Sequence, residues 1–118
     1  MATLEMNGPY RLDNDTINRE LRTTDAGNYA LGATNDKKTF EVFYVGRSDN
    51  DLTGRLRQHV GSHREFKYSF ALSIKAAFEK ECHNYHDFGP PPDNKAHPAR
   101  PEGEDWQCPA CSQFDDMN

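Results

Sequence analysis

Residues 27–48, GNYALGATNDKKTFEVFYVGRS, constrain the fold more than any other stretch of the chain. Two extended segments, about 28–33 and 39–46, flank TNDKK, whose Asn and Asp residues suit a turn. The pattern predicts a β-hairpin in which Phe40, Val42 and Tyr44 share one face of the second strand. Tyr29 and Tyr44 each stand close to a glycine, Gly27 and Gly46. A hairpin core can be built from aliphatic residues alone, whereas a tyrosine hydroxyl has to be solvated, satisfied or used. The two phenols are therefore candidates for chemistry as well as for packing.

The flanking sequence supplies partners for this hairpin. Residues 1–12 read as an irregular arm, and DNDTINRELR (13–22) as a short helix with acids in its first turn and Ile17 and Leu21 on one side. SDND (48–51) offers N-caps for a helix over about 51–60, with Leu52, Leu56 and Val60 facing the core and Arg55 and His59 beside that stripe. FKYSFAL (66–72) alternates Phe66, Tyr68, Phe70 and Leu72, the pattern of a strand with one apolar face. Ser73 then caps a longer helix over about 74–87. These elements predict an α/β (α+β) fold, a small three-stranded mixed or antiparallel sheet flanked by helices. A chain of 118 residues is one domain's worth. It divides into an arm and short helix (1–26), a core (27–94) and a tail (95–118) that follows a Pro- and Gly-rich loop.

In the last helix, at about 100° per residue, Ile74, Ala77, Phe78 and Tyr85 form an apolar stripe. Glu81 falls in its middle, whereas Glu79 points away. A carboxylate aimed inward is costly unless it is paired, protonated or bound to a cation. Glu81 is thus the acid that needs an explanation.

The net charge of −5 argues against strong nonspecific binding to nucleic acid. The basic residues are nonetheless concentrated in GRLRQHVGSHREFK (54–67), where Arg55, Arg57, Arg64 and Lys67 meet the single acid Glu65. The chain has no apolar run long enough to span a membrane and no export signal at its N-terminus, so a cytoplasmic location is expected. Three cysteines in such a setting point to metal rather than to disulfides. CPAC (108–111) is a C-x₂-C knuckle, and Cys82 and His86 lie at i and i+4 on the last helix. Cys82, His86, Cys108 and Cys111 would make a structural tetrahedral Zn²⁺ site, with His97 as an alternative fourth ligand. Free thiols or a redox pair are the competing readings.

Tyr29, Tyr44, Arg55, His59 and Glu81 are expected to gather on one side of the sheet. The set suits phosphodiester hydrolysis. A carboxylate holds Mg²⁺ or Mn²⁺, an arginine fork takes the charge developing on phosphate, and a tyrosine or histidine takes a proton from water. On these residues the chain resembles the GIY-YIG nuclease family. GNY (27–29) is similar to its first half-motif, with Asn28 where Ile or Val is usual, and YVG (44–46) to its second. RLRQH (55–59) resembles its helix segment with an arginine four residues before a histidine. AFEKE (77–81) resembles the stretch ending in its metal-binding glutamate, and Asn94 the asparagine that often follows. Arg47, directly after YVG, departs from the pattern's surroundings.

The resemblance implies a role for each position. Tyr29 would be the general base or water-positioning group, Tyr44 a second hydroxyl near the phosphate, and Arg55 the phosphate clamp. His59 would assist proton transfer, Glu81 would bind the divalent ion, and Asn94 would brace the site. The expected activity is a divalent-metal-dependent endonuclease acting on DNA. The alternatives are a non-catalytic, zinc-stabilised module binding nucleic acid or a protein, and an intact site that works only within a larger assembly.

Overall fold

Four strands form one antiparallel sheet in the computed structural model, which describes residues 4–23 and 25–112. Along the chain the elements are β1 (Asn7–Arg11), α1 (Asn14–Glu20), β2 (Gly27–Thr34), β3 (Phe40–Ser48), α2 (Leu52–Gln58), β4 (Glu65–Phe70) and α3 (Ile74–Asp87). The strand order is β1-β4-β2-β3, so β2 is central and β3 is an edge.

The fourth strand corrects the three-stranded expectation, and it comes from the stretch read as an irregular arm. NGPYR has no apolar alternation and contains Gly8 and Pro9, a residue that cannot donate to a ladder. An outermost strand tolerates this because it pairs on one side only. Asn7 lies opposite Tyr68 and Tyr10 opposite Phe66, with an irregularity between. Described residues before 27 contribute to the core: Leu12, Ile17 and Leu21 are buried with Tyr29, Leu31, Leu52, Leu56 and Phe66.

The N-caps of the second and third helices come from the expected SDND stretch and Ser73, and Asp13 caps the first. The carboxylate of Asp13 accepts from the Thr16 amide at 2.8 Å, that of Asp51 from Gly54 at 2.9 Å, and the Ser73 hydroxyl from Ala76 at 3.0 Å. α2 is shorter than expected and ends at Gln58, with His59 as its C-cap. β4 ends at Phe70, and Phe70, Leu72 and Ile74 are exposed instead of continuing the apolar face.

Alternation along β2 assigns two faces. Tyr29 and Leu31 pack with α1 and α2, whereas Ala30 packs with Val45, Tyr85 and Phe88 on the α3 side. Asn28, on that second side, donates from Nδ2 to the Ala77 carbonyl at 2.9 Å and so ties β2 to α3. The polar residue where an apolar one was expected is thus an interlayer hydrogen bond.

A bulge in β3 overturns one further expectation. Leu31 pairs with Tyr44 but Gly32 pairs with Val42, which leaves Phe43 as an extra residue. Tyr44 consequently joins the α2-side cluster, while Phe40 and Val42 join the α3-side cluster. The bulge keeps both tyrosines on the same face.

Candidate active site

A cleft of about 490 Å³ lies beside the outer edge of β3. Tyr29, Tyr44, Arg55, Glu81 and Asn94 line it, together with Arg47 and Asp49. The groups come from both faces of the sheet and meet around its edge, rather than gathering on one side as expected. They can do so because Gly46 stands opposite Tyr29 in the ladder. A Cβ at Gly46 would collide with the phenol, lying 2.5 Å from its Cζ. Glycine here is what admits the ring.

The Tyr29 hydroxyl lies 2.8 Å from His59 Nε2. His59 reaches it from the C-terminal end of α2, where Leu56 anchors the helix in the core. The Tyr29 and Tyr44 rings stack at 6.2 Å between centroids, and each contacts the imidazole, at 5.2 and 5.5 Å. Burial, first, and the neighbouring Tyr44, second, push the Tyr29 pKa well above the ordinary phenol value, with Arg55 opposing. Burial, and then the charge of Arg55, lower the His59 pKa from its usual 6.5. At neutral pH the phenol is therefore protonated and the imidazole neutral, and in the Nδ1–H tautomer of His59 Tyr29 donates and Nε2 accepts.

Glu81 is buried, at 8% relative exposure, as its helical phase required. Arg47 answers the question of its partner: Nη1 donates to Glu81 Oε1 at 2.5 Å, and Nε donates to Asp49 Oδ1 at 2.8 Å. The Arg47 guanidinium also sits 5.3 Å from the Phe78 ring centroid. Even so, desolvation outweighs the attraction of Arg47, and the Glu81 pKa is raised. A carboxylate whose charge is still under-compensated gains from additional positive charge. Arg47 and Asp49 were not among the expected site residues. Strand parity places Arg47 on the face opposite Tyr44, towards α3, and Glu81 is the inward acid of α3; the two signals together would have paired them.

Asn94 uses both halves of its amide on one residue. Oδ1 accepts from the Val45 N–H at 2.8 Å and Nδ2 donates to the Val45 carbonyl at 3.0 Å. The adjacent Asp93 N–H donates to the Phe43 carbonyl at 2.8 Å. Residues 93–94 thus satisfy the free edge of β3 where a further strand would lie.

A second cluster adjoins the cleft. Ligand-type atoms of His86, His97, Cys108 and Cys111 all lie within 4.8 Å of one another. His86, Cys108 and Cys111 are in the expected set, but His97 takes the fourth place and Cys82 stays outside. Cys82 is buried against Phe78 and Cys108, and burial, followed by its hydrogen bond with the Cys108 side chain, pushes its thiol pKa up. Facing the core, it is held as a thiol. His86 Nε2 is buried without a hydrogen-bond partner among the described residues. His97 Nδ1 lies 2.9 Å from the Pro98 carbonyl, a contact that fixes the N–H there and leaves Nε2 as a lone pair, 3.4 Å from Cys111 Sγ. A backbone carbonyl holding the far nitrogen is the usual support of a metal-binding histidine. The cluster has the donor set of a site for a metal such as zinc.

No helix among the described residues is long and apolar enough to cross a membrane. Compared with protein-family models, curated proteins and solved structures, the chain matches none.

Proposed function

We propose that this chain is a divalent-metal-dependent endonuclease that hydrolyses DNA phosphodiester bonds in the cleft beside β3, in the manner of the GIY-YIG nucleases its motifs resemble. The observation that carries the reading is the 2.8 Å contact of His59 with Tyr29, whose ring lines the cleft together with Arg55 and Glu81, while His59 itself stands behind the phenol and outside the cleft lining. A nucleophile-activating pair, a guanidinium and a buried carboxylate are the parts that phosphodiester hydrolysis needs.

Tyr29 positions the attacking water. As the water oxygen bonds to phosphorus, its proton passes to the Tyr29 oxygen while the Tyr29 proton passes to His59 Nε2; the ester bond to the leaving sugar oxygen breaks, and that oxygen takes a proton from solvent. The phenol thereby works without first becoming a free tyrosinate, which its burial opposes. Arg55 donates to the non-bridging phosphate oxygens as their charge grows. Glu81 and Asp49, hard oxygen donors that both line the cleft, fit Mg²⁺ or Mn²⁺, which commonly take one or two carboxylates and leave their remaining positions to water and phosphate. The bound ion would supply positive charge at the phosphoryl and leaving oxygens. The second cluster is assigned to a structural Zn²⁺ with His86, His97, Cys108 and Cys111 as ligands.

One observation favours the non-catalytic module. Arg47 already occupies Glu81 Oε1 and would compete with a divalent cation. The discriminating experiment incubates the full chain with single-stranded, duplex and branched DNA, with and without Mg²⁺ or Mn²⁺. Cation-dependent cleavage of one of these forms supports the enzyme; binding without cleavage under every condition supports the module.

A further inference from the structure

We infer that the ion assigned to His86, His97, Cys108 and Cys111 is an organiser of the cleft, because His97 belongs both to that cluster and to the cleft wall. The inference rests on the zinc assignment above but not on the nuclease reading.

Residues 93–99 form one wall of the cleft and contain no helix or strand. Such a segment keeps its shape only if both ends are held. The leading end is fastened to β3 through Asp93 and the two-sided Asn94–Val45 contact. His63 Nε2 adds a contact to Asp93 Oδ2 at 2.7 Å. The trailing end packs through the buried Pro98 and through His97, whose ring lies against Tyr85 and His86 of α3, at 5.4 and 5.2 Å. An ion shared by His97, His86 of α3 and the CPAC knuckle converts these ring contacts into bonds.

One edge of the cluster already has the length that the ion requires, and the four ligand atoms lie within 4.8 Å of one another. Bonds of about 2.0–2.3 Å to nitrogen and sulfur imply a tetrahedron edge of about 3.5 Å. His97 Nε2 and Cys111 Sγ already lie 3.4 Å apart. The buried Nε2 of His86, which has no hydrogen-bond partner among the described residues, is a second and independent sign that this nitrogen serves a ligand role. Removing the ion leaves the trailing end held by packing alone, so the segment moves more and the Asn94–Val45 contact opens more often. The amide of Val45 reports the result directly, because its N–H is held by the Asn94 side chain.

The test is amide hydrogen exchange on the full chain, before and after a zinc chelator and after Zn²⁺ is restored, with bound zinc counted by metal analysis. About one zinc per chain is expected. Its removal should speed exchange at Val45 at least about tenfold while Leu31, in the centre of the sheet, changes little; adding Zn²⁺ should reverse the effect. Loss of zinc with Val45 exchange unchanged overturns the inference. So does an equal acceleration at Val45 and Leu31, which is general unfolding, and so does protein that binds no stoichiometric zinc. The Asn94→Ala variant supplies an independent arm: it should retain zinc while Val45 loses protection, and continued protection there contradicts the proposed linkage. None of these readouts depends on DNA cleavage.

Discussion

The hydroxyl of Tyr29 and Nε2 of His59 meet at 2.8 Å although thirty positions separate them in the chain. The contact joins a central strand to the end of α2 and leaves the phenol in the cleft with Arg55 and Glu81. Its consequences can be measured one at a time.

Tyr29→Phe keeps the ring that packs against Tyr44 and removes only the hydroxyl. Stability should fall by about 0.5–1.5 kcal/mol, the net worth of one hydrogen bond. Cleavage should fall by about 10²–10⁴-fold, as expected for loss of a proton-transfer group. His59→Gln should cost a similar factor, and the double variant little more than either single one, because the two act as a unit. Single-turnover rates and thermal unfolding of the three proteins check this.

The acid limb of the pH profile should belong to His59. Its folded pKa lies below the ordinary 6.5, chiefly through burial. The rate should therefore rise with pH through that depressed value and level off by neutrality. Stability follows the same sign. Between 6.5 and the folded value the unfolded chain binds the proton and the folded one does not, so the contribution of His59 is intact above 6.5 and is lost as pH falls through that window. Unfolding curves of wild type and His59→Gln, compared from neutral to acidic pH, should converge on a smaller dependence in the variant.

Arg47→Ala leaves the Glu81 carboxylate buried without its guanidinium. Breaking a buried pair from one side typically costs about 3–5 kcal/mol. Adding Glu81→Gln to Arg47→Ala should recover most of that loss, since the uncompensated charge is gone. Denaturant unfolding of the single and double variants measures the recovery.

Gly46→Ala places a methyl group against the Tyr29 ring. Overpacking of this kind costs about 1–3 kcal/mol. The ring must turn or shift, so cleavage should fall further than stability alone explains. In a Tyr29→Ala background, itself destabilised by loss of the buried ring, the further stability cost of Gly46→Ala should largely vanish while the rate stays low.

Much of this arrangement was legible in the amino-acid order, and its limits have physical causes. Ser73 and the stripe of Ala77 and Phe78 gave α3 its start and its buried face, and the same phase singled out Glu81. Those signals are local and periodic. β1 escaped because Asn7–Arg11 has no alternation to detect, and its pairing with β4 is a long-range contact. The bulge at Phe43 escaped because parity counting assumes an uninterrupted ladder, so Val42 and Tyr44 were assigned to one face. The Arg47–Glu81 pair needs strand parity and helical phase to be combined across two elements. The tail shows a subtler limit. An i, i+4 spacing makes Cys82 and His86 neighbours on α3, but the turn between them is where the helix passes from core to cluster. Cys82 follows Phe78 inward, and the loop histidine His97 takes the place that helical spacing had offered to Cys82.

The most direct measurement is the rate at which wild type and Glu81→Gln cleave DNA in Mg²⁺, with folding verified for both. The substitution preserves shape and removes the charge. Cleavage by wild type that requires the cation, and a loss of about 10²–10³-fold in the variant, is the predicted result. A folded Glu81→Gln protein that cleaves as fast as wild type, or a wild type that cleaves none of the DNA forms with either cation, contradicts the account.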